Sequence, residues 1–205
     1  MKIKKLIKRK KLIIFDLDGV LIDSKRNMSV AWKYATKKNF INVPFKNYFR
    51  NVGLPFYKIL QNLKIKSGFE KIRRDYNFKS KKKLGLIKLY PGTKKIFNDL
   101  RANGKNLALL TSKDSSRTKK ILKKFNIKFN CIECGSQKVK GKPNPTQILK
   151  ILKKLKTKKK YAVYVGDSIH DSMTANNAKI DFIFASYGYT KKRKYKYNIK
   201  NLKEL

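Results

Sequence analysis

The feature that most constrains this chain is an apolar run that ends in acid. "KLIIFDLD", Lys11 to Asp18, reads as a buried strand, yet it closes on Asp16 and Asp18. A charged carboxylate in a sheet core is costly unless something pairs with it, so the fold must bring a compensating group to the end of this strand. Other short apolar runs follow: "NLALLTS" (Asn106 to Ser112), "NCIEC" (Asn130 to Cys134), "YAVYVGD" (Tyr161 to Asp167) and "DFIFAS" (Asp181 to Ser186). Such runs suit strands with both faces covered. Helical patterns separate them, "GTKKIFNDLRANG", "SSRTKKILKKFN" and "NPTQILKILKKLKT", the last with Ile148, Leu149, Ile151, Leu152 and Leu155 on one apolar stripe. Alternating strands and helices predict an α/β fold, a Rossmann-like parallel sheet with helices on both faces.

The stretch from Lys25 to Leu86 breaks that alternation. "MSVAWKYATKKNF", "FKNYFR", "FYKILQNLK" and "FEKIRRDYNF" are helical patterns with no convincing strand, which predicts a small all-helical insertion after the first strand. The domain division that follows is residues 1–24 and 87–205 for the core and 25–86 for the insertion. Pro91 and Gly92 of "LYPG" mark the return to the core. The tail "KKRKYKYNIKNLKEL" reads as a terminal basic helix or arm.

Charge narrows the function less than it suggests. The formal net charge is +42, from 54 Lys and Arg against 12 Asp and Glu, which allows a nucleic-acid or other polyanion partner. Lysines nevertheless occur in every segment beside many Asn, Ile, Tyr and Phe, the mark of a Lys-favouring codon bias acting on solvated faces, and that reading is favoured. The surviving acids are more informative: four of the twelve, Asp16, Asp18, Asp167 and Asp171, fall within two five-residue windows. One C-x-x-C, Cys131 and Cys134, and one histidine, His170, are too few for a zinc site of Cys and His; two buried thiols are expected. The basic start lacks a signal-peptide core and the apolar runs are too short to span a bilayer, so a cytoplasmic location is expected.

D-x-D ends the first strand, "LLTS" the second and "VGDSIHD" the fourth. In open parallel sheets the carboxyl ends of the strands form the ligand crevice, so these groups should converge. With "LYPG", "GKPNP", "VYVGDSIHDSMTANNA" and "SYGYT", the chain resembles the haloacid dehalogenase superfamily, in the branch of phosphoglycolate phosphatase and β-phosphoglucomutase. That resemblance implies a Mg²⁺-dependent phosphatase acting on a small phosphorylated metabolite. Asp16 would be the nucleophile that forms an aspartyl phosphate, and Asp18 would protonate the leaving alcohol and then take a proton from water. Mg²⁺ would be held by Asp16, the backbone carbonyl of Asp18 and Asp167, with Asp171 orienting a metal-bound water. Thr111, with Ser112 beside it, Lys142 of "GKPNP" and the amides around Gly19 would receive the phosphate. The helical insertion would be the cap, in which "VGLPF" with Gly53 faces the substrate and Arg50 pairs with an anionic leaving group.

Alternatives stay open at this point. "GDSIHD" also fits a helix N-cap with a favoured acid, and Arg50 also fits an ordinary exposed cation. A phosphomutase shares every core motif. A polyanion-binding protein on a phosphatase-like scaffold accommodates the charge. Asp23, followed by Ser24, is expected to cap the entry into the helices rather than to join the site.

Overall fold

The structure is a computed structural model that describes residues 2–136, 140–190 and 195–205. Its central strand is β1 (Leu12–Phe15), with Leu12 and Ile14 buried on one face and Ile13 and Phe15 on the other. This is the two-residue side-chain period of a strand covered on both sides. The remaining strands are β2 (Ile22–Asp23), β3 (Lys88–Leu89), β4 (Asn106–Asp114), β5 (Cys131–Gly135), β6 (Ala162–Gly166), β7 (Asp181–Ala185) and β8 (Asn198–Ile199). Six of them form one sheet in the order β5-β4-β1-β6-β7-β8, parallel throughout. The chain runs outward from β1 through β4 to β5 and then crosses back to β6, so its order reverses around β1. Phe15 is level with Leu109 and Val165. Asp16, Thr111 and Asp167 therefore leave the sheet along one edge.

Helices cover both faces. Leu6 and Ile7 of α1 (Lys2–Lys8) join one face with Ile96, Phe97 and Leu100 of α6 (Thr93–Ala102) and Ile121 and Leu122 of α7 (Ser115–Phe125). On the other, Ile148, Ile151 and Leu152 of α8 (Thr146–Lys154) meet Ala175 and Ala178 of α9 (Ile169–Ala178). Leu149 stays exposed on the flank of the α8 stripe.

Between β2 and β3 lie α2 (Lys25–Lys38), α3 (Phe45–Phe49), α4 (Phe56–Asn62) and α5 (Phe69–Lys82), packed around an apolar cluster of their own. Trp32 is at its centre; the indole N–H donates to the Val43 carbonyl at 2.8 Å and the ring stacks on Tyr48 at 4.4 Å. The Tyr48 hydroxyl donates to that of Tyr76 at 3.0 Å. At the base of this layer, Asn27 donates to the carbonyls of Ser80 and Lys83 and accepts from the Ser80 hydroxyl.

Three local expectations are corrected. The first strand stops at Phe15 rather than Asp18, because Gly19 turns the chain at φ +84° into the β2–β3 ribbon. The tail forms no basic helix or arm in its described part: Ile199 and Leu202 are buried and β8 extends the sheet beside β7, while residues 191–194 lie outside the described residues. Cys131 is buried but Cys134 is only half-buried. Both are free, and burial pushes both thiols up, away from the reactive thiolate. Among the described residues, no helix is long and apolar enough to cross a membrane.

Candidate active site

Asp16 follows β1, Asp167 follows β6, and Asp171 stands in the first turn of α9; one carboxylate oxygen from each lies within 4.8 Å of the others, and all three residues are buried. Close backbone approach makes this cluster possible. A Cβ on Gly19 would come within 2.1 Å of Asp167 Oδ2, and one on Gly188 within 2.3 Å of Asp167 Cβ. Only glycine lets these two segments enclose the Asp167 carboxylate.

Lys142 supplies the countercharge that β1 requires. Its buried ammonium donates to Asp16 Oδ1 at 2.7 Å and to Asp171 Oδ1 at 2.6 Å. Asp171 is saturated: Oδ1 also accepts from the Tyr164 hydroxyl at 2.7 Å, and Oδ2 accepts from the Ser168 N–H at 3.0 Å and its hydroxyl at 2.6 Å. Ser168 and Asp171 form a reciprocal capping box at the start of α9. The helix-cap reading of "GDSIHD" and its membership of the acid cluster thus hold together.

These contacts separate the three acids electrostatically. Burial pushes the Asp16 carboxyl up to about 7 against the pull of Lys142, with Asp171 and Asp18 adding to the rise. Burial, reinforced by Asp171 and Asp16, raises Asp167 well above the usual carboxylate range. Burial would raise Asp171 too, but Lys142 and the donors Ser168 and Tyr164 hold it below that range. For Lys142, burial opposes the charge, yet Asp16 and Asp171 stabilise the ammonium so strongly that its pKa rises.

The donor set fits a hard divalent cation. One ammonium faces three buried carboxylates, and the hydrogen bonds among the described residues leave Asp16 Oδ2 and Asp167 Oδ1 for other partners. These are oxygen ligands, as Mg²⁺ takes, and too few for a closed all-protein cage. Asp171, with its acceptors filled, is suited to holding Lys142 and the α9 start rather than to direct ligation.

A cavity of about 260 Å³ opens above Asp16 and Asp167. Asp18, Thr111 and Ser112 line it from the core, and Arg50 and Gly53 from the helical layer. The residues expected at the site are in differing employment, and Gly19 departs from expectation, because its N–H donates to the Ile22 carbonyl at 2.9 Å and is not free for a phosphate. Thr111 is buried, and its hydroxyl accepts the Lys113 N–H at 3.2 Å. The Ser112 hydroxyl donates to the Gly53 carbonyl at 2.6 Å, which ties the helical layer to the core. Gly53, at φ +106°, sits where a Cβ would press to 3.2 Å from Ser168 Oγ. Arg50 is exposed on the cavity rim. Asp23 accepts the Lys25 N–H at 3.0 Å at the start of α2, away from the acid cluster.

The sequence reading missed three contributors. Lys113, buried, pairs with Asp18 Oδ2 at 3.0 Å. Ser24, also buried, donates its hydroxyl to Asp18 Oδ1. Tyr189 donates its backbone N–H to Asp167 Oδ2 at 2.6 Å. Lys113 follows "LLTS" directly, and that adjacency was the available signal.

A family model described as haloacid dehalogenase-like hydrolase matches residues 13–185. A chain named for a pyrophosphatase, PpaX, in Caldanaerobacter subterraneus is 30% identical over 174 residues, covering 82% of this chain and 78% of its own length. The phosphoglycolate phosphatase of Aquifex aeolicus is 27% identical over 187 residues, covering 88% and 87%. In overall fold, a haloacid dehalogenase-like family hydrolase from Streptococcus pneumoniae superposes with a TM-score of 0.82 at 21% identity, over 96% of each chain.

Proposed function

The chain belongs to the haloacid dehalogenase-like hydrolases, and from that premise we propose that it is a Mg²⁺-dependent phosphatase that hydrolyses a small phosphorylated metabolite through an aspartyl phosphate on Asp16. The observation that carries this reading is the buried Asp16–Lys142–Asp171 chain beside Asp167, opening into a cavity that Asp18 also lines. Relatives named for pyrophosphate and for phosphoglycolate support a phosphate substrate and leave its identity open.

The contacts support the following roles. Asp16 attacks phosphorus in line through one carboxylate oxygen, Lys142 steadying the carboxylate, and the bond to the leaving oxygen breaks as Asp18 delivers a proton to it. Water then attacks phosphorus, Asp18 takes its proton, and the acyl–phosphate bond breaks to return the Asp16 carboxylate and inorganic phosphate. Asp16, Asp167 and the Asp18 carbonyl would hold Mg²⁺, which when bound supplies positive charge to the transferring phosphoryl oxygens. Thr111 and the Asp18 amide serve the same oxygens, and Asp171 keeps Lys142 charged and aimed. The α2–α5 layer acts as the cap, excluding water and facing the leaving group through Arg50 and Gly53.

A screen of phosphorylated metabolites for phosphate release tests this, with release expected in Mg²⁺ and lost in EDTA. Turnover unaffected by chelation would break the metal assignment. With a glucose phosphate, isomer formation without free phosphate would make the protein a phosphomutase instead.

A further inference from the structure

The loop that follows β7 reaches the connections between core and helical layer. The Tyr187 hydroxyl donates to the Val20 carbonyl at 2.9 Å, and its ring meets Tyr90 edge-on at 5.0 Å. Tyr189 goes further. Its ring packs on Phe49 of α3 at 5.1 Å, and its hydroxyl accepts the N–H of Ser24, the residue just before α2, at 2.6 Å. That hydroxyl also lies 3.3 Å from both Ser24 Oγ and Asp23 Oδ1.

Counting protons gives this arrangement a direction. A serine hydroxyl has one proton to donate and can accept as well. Ser24 gives its proton to Asp18 Oδ1, while Lys113 donates to Asp18 Oδ2. Each carboxylate oxygen of Asp18 is thus held by a donor from a different segment, which fixes how the group faces the cavity. The Tyr189 hydroxyl holds Ser24 in place by accepting its backbone N–H, while its own proton is donated to Asp23 Oδ1 at 3.3 Å, which ties the start of α2 to the same ring.

We infer that Tyr189 is a positioning residue for Asp18, acting through Ser24, so that the general acid is aimed by a side chain that does not belong to its own strand or loop. This rests on the phosphatase reading above, since it assigns a task only if Asp18 protonates a leaving group.

The test compares Tyr189→Phe, Ser24→Ala and the double variant on two probes, phenyl phosphate and p-nitrophenyl phosphate, in Mg²⁺. Tyr189→Phe keeps the ring on Phe49 and the backbone N–H on Asp167 and removes only the hydroxyl. Phenolate is a poor leaving group that needs the proton, whereas p-nitrophenolate departs with little help. Expected is a fall in kcat of about ten-fold on phenyl phosphate and less than about two-fold on p-nitrophenyl phosphate, with KM nearly unchanged. The double variant should be no slower than Ser24→Ala alone, because the two residues act in series. Equal losses on both probes, as general loosening of the fold would give, overturn the inference. So do losses that multiply in the double variant. A wild-type protein that releases no phosphate from either probe or from any metabolite of the screen overturns the phosphatase reading and this inference with it.

Discussion

Beneath the carboxyl edge of the sheet, Asp16, Lys142, Asp167 and Asp171 are each no more than 4% exposed, and each is held by another charge, a backbone amide or a hydroxyl. The α2–α5 layer buries Trp32, Tyr48 and Tyr76 instead, and the cation it offers to the cavity, Arg50, is exposed. The difference follows from what each region must hold still. Ionised groups out of water are tolerable only in complete networks, so the sheet edge is over-determined and rigid. The aromatic cluster is held by apolar burial and a few hydrogen bonds rather than by paired charges, and it meets that edge through contacts such as Ser112 to Gly53.

The contrast breaks most decisively at the nucleophile. Asp16→Asn should lower phosphate release by about four orders of magnitude or more while leaving circular dichroism unchanged. Retained turnover would falsify the assignment of Asp16. Next in size is Lys142→Met, which leaves Asp16 and Asp171 buried without their cation. Removing one partner of a buried pair costs about 3–5 kcal/mol, to be read from denaturant unfolding. A cost near zero would mean that the sheet edge is no more over-determined than the aromatic layer.

A pH titration without metal sharpens the same point. Asp16 titrates near its ordinary value when unfolded and at about 7 when folded. Below its unfolded value both states hold the proton and the favourable contribution is complete. As pH rises toward about 7 the unfolded chain gives up that proton before the native one, so stability is lost across this window. In EDTA, the stability of wild type minus that of Asp16→Asn should therefore fall between about pH 4 and pH 7. Saturating Mg²⁺ should flatten the slope by favouring the charged form. A difference that grows with pH would mean that Asp16 is an ordinary paired carboxylate.

What could be read beforehand divides along physical lines. β1 and β4 to β7 announce themselves because a doubly covered strand is a short apolar run, and Asp16, Asp18, Asp167 and Asp171 stand out in a chain so poor in acids. β8 does not, since its paired residues Asn198 and Ile199 lie in a lysine-rich tail where one buried isoleucine makes no pattern. Lys113 was hidden by abundance: it is one of 54 cations, and only the register shift near the end of β4, between Thr111 and Asp114, reveals that it faces Asp18. Ser24 and Tyr189 were hidden by distance, because their meeting depends on the loop after β7 reaching the start of α2. Asp171 was legible as a site acid, but not as one whose acceptors are already full.

The smallest expected effect lies at Arg50. An exposed guanidinium on the cavity rim interacts through water-rich surroundings, where an ion pair is worth little and is screened by salt. If it recognises an anionic leaving group, it does so before and during the reaction alike, and uniform binding of that kind appears in KM rather than kcat. Arg50→Ala should therefore raise KM for a carboxylate-bearing substrate such as phosphoglycolate about five-fold at low ionic strength. It should leave kcat alone, and it should do nothing to p-nitrophenyl phosphate. Raising the salt concentration should bring wild type and variant together. A loss in kcat instead would mean that Arg50 reaches the reacting atoms, and the division between a charged edge and an apolar cover would then have to be redrawn at that residue.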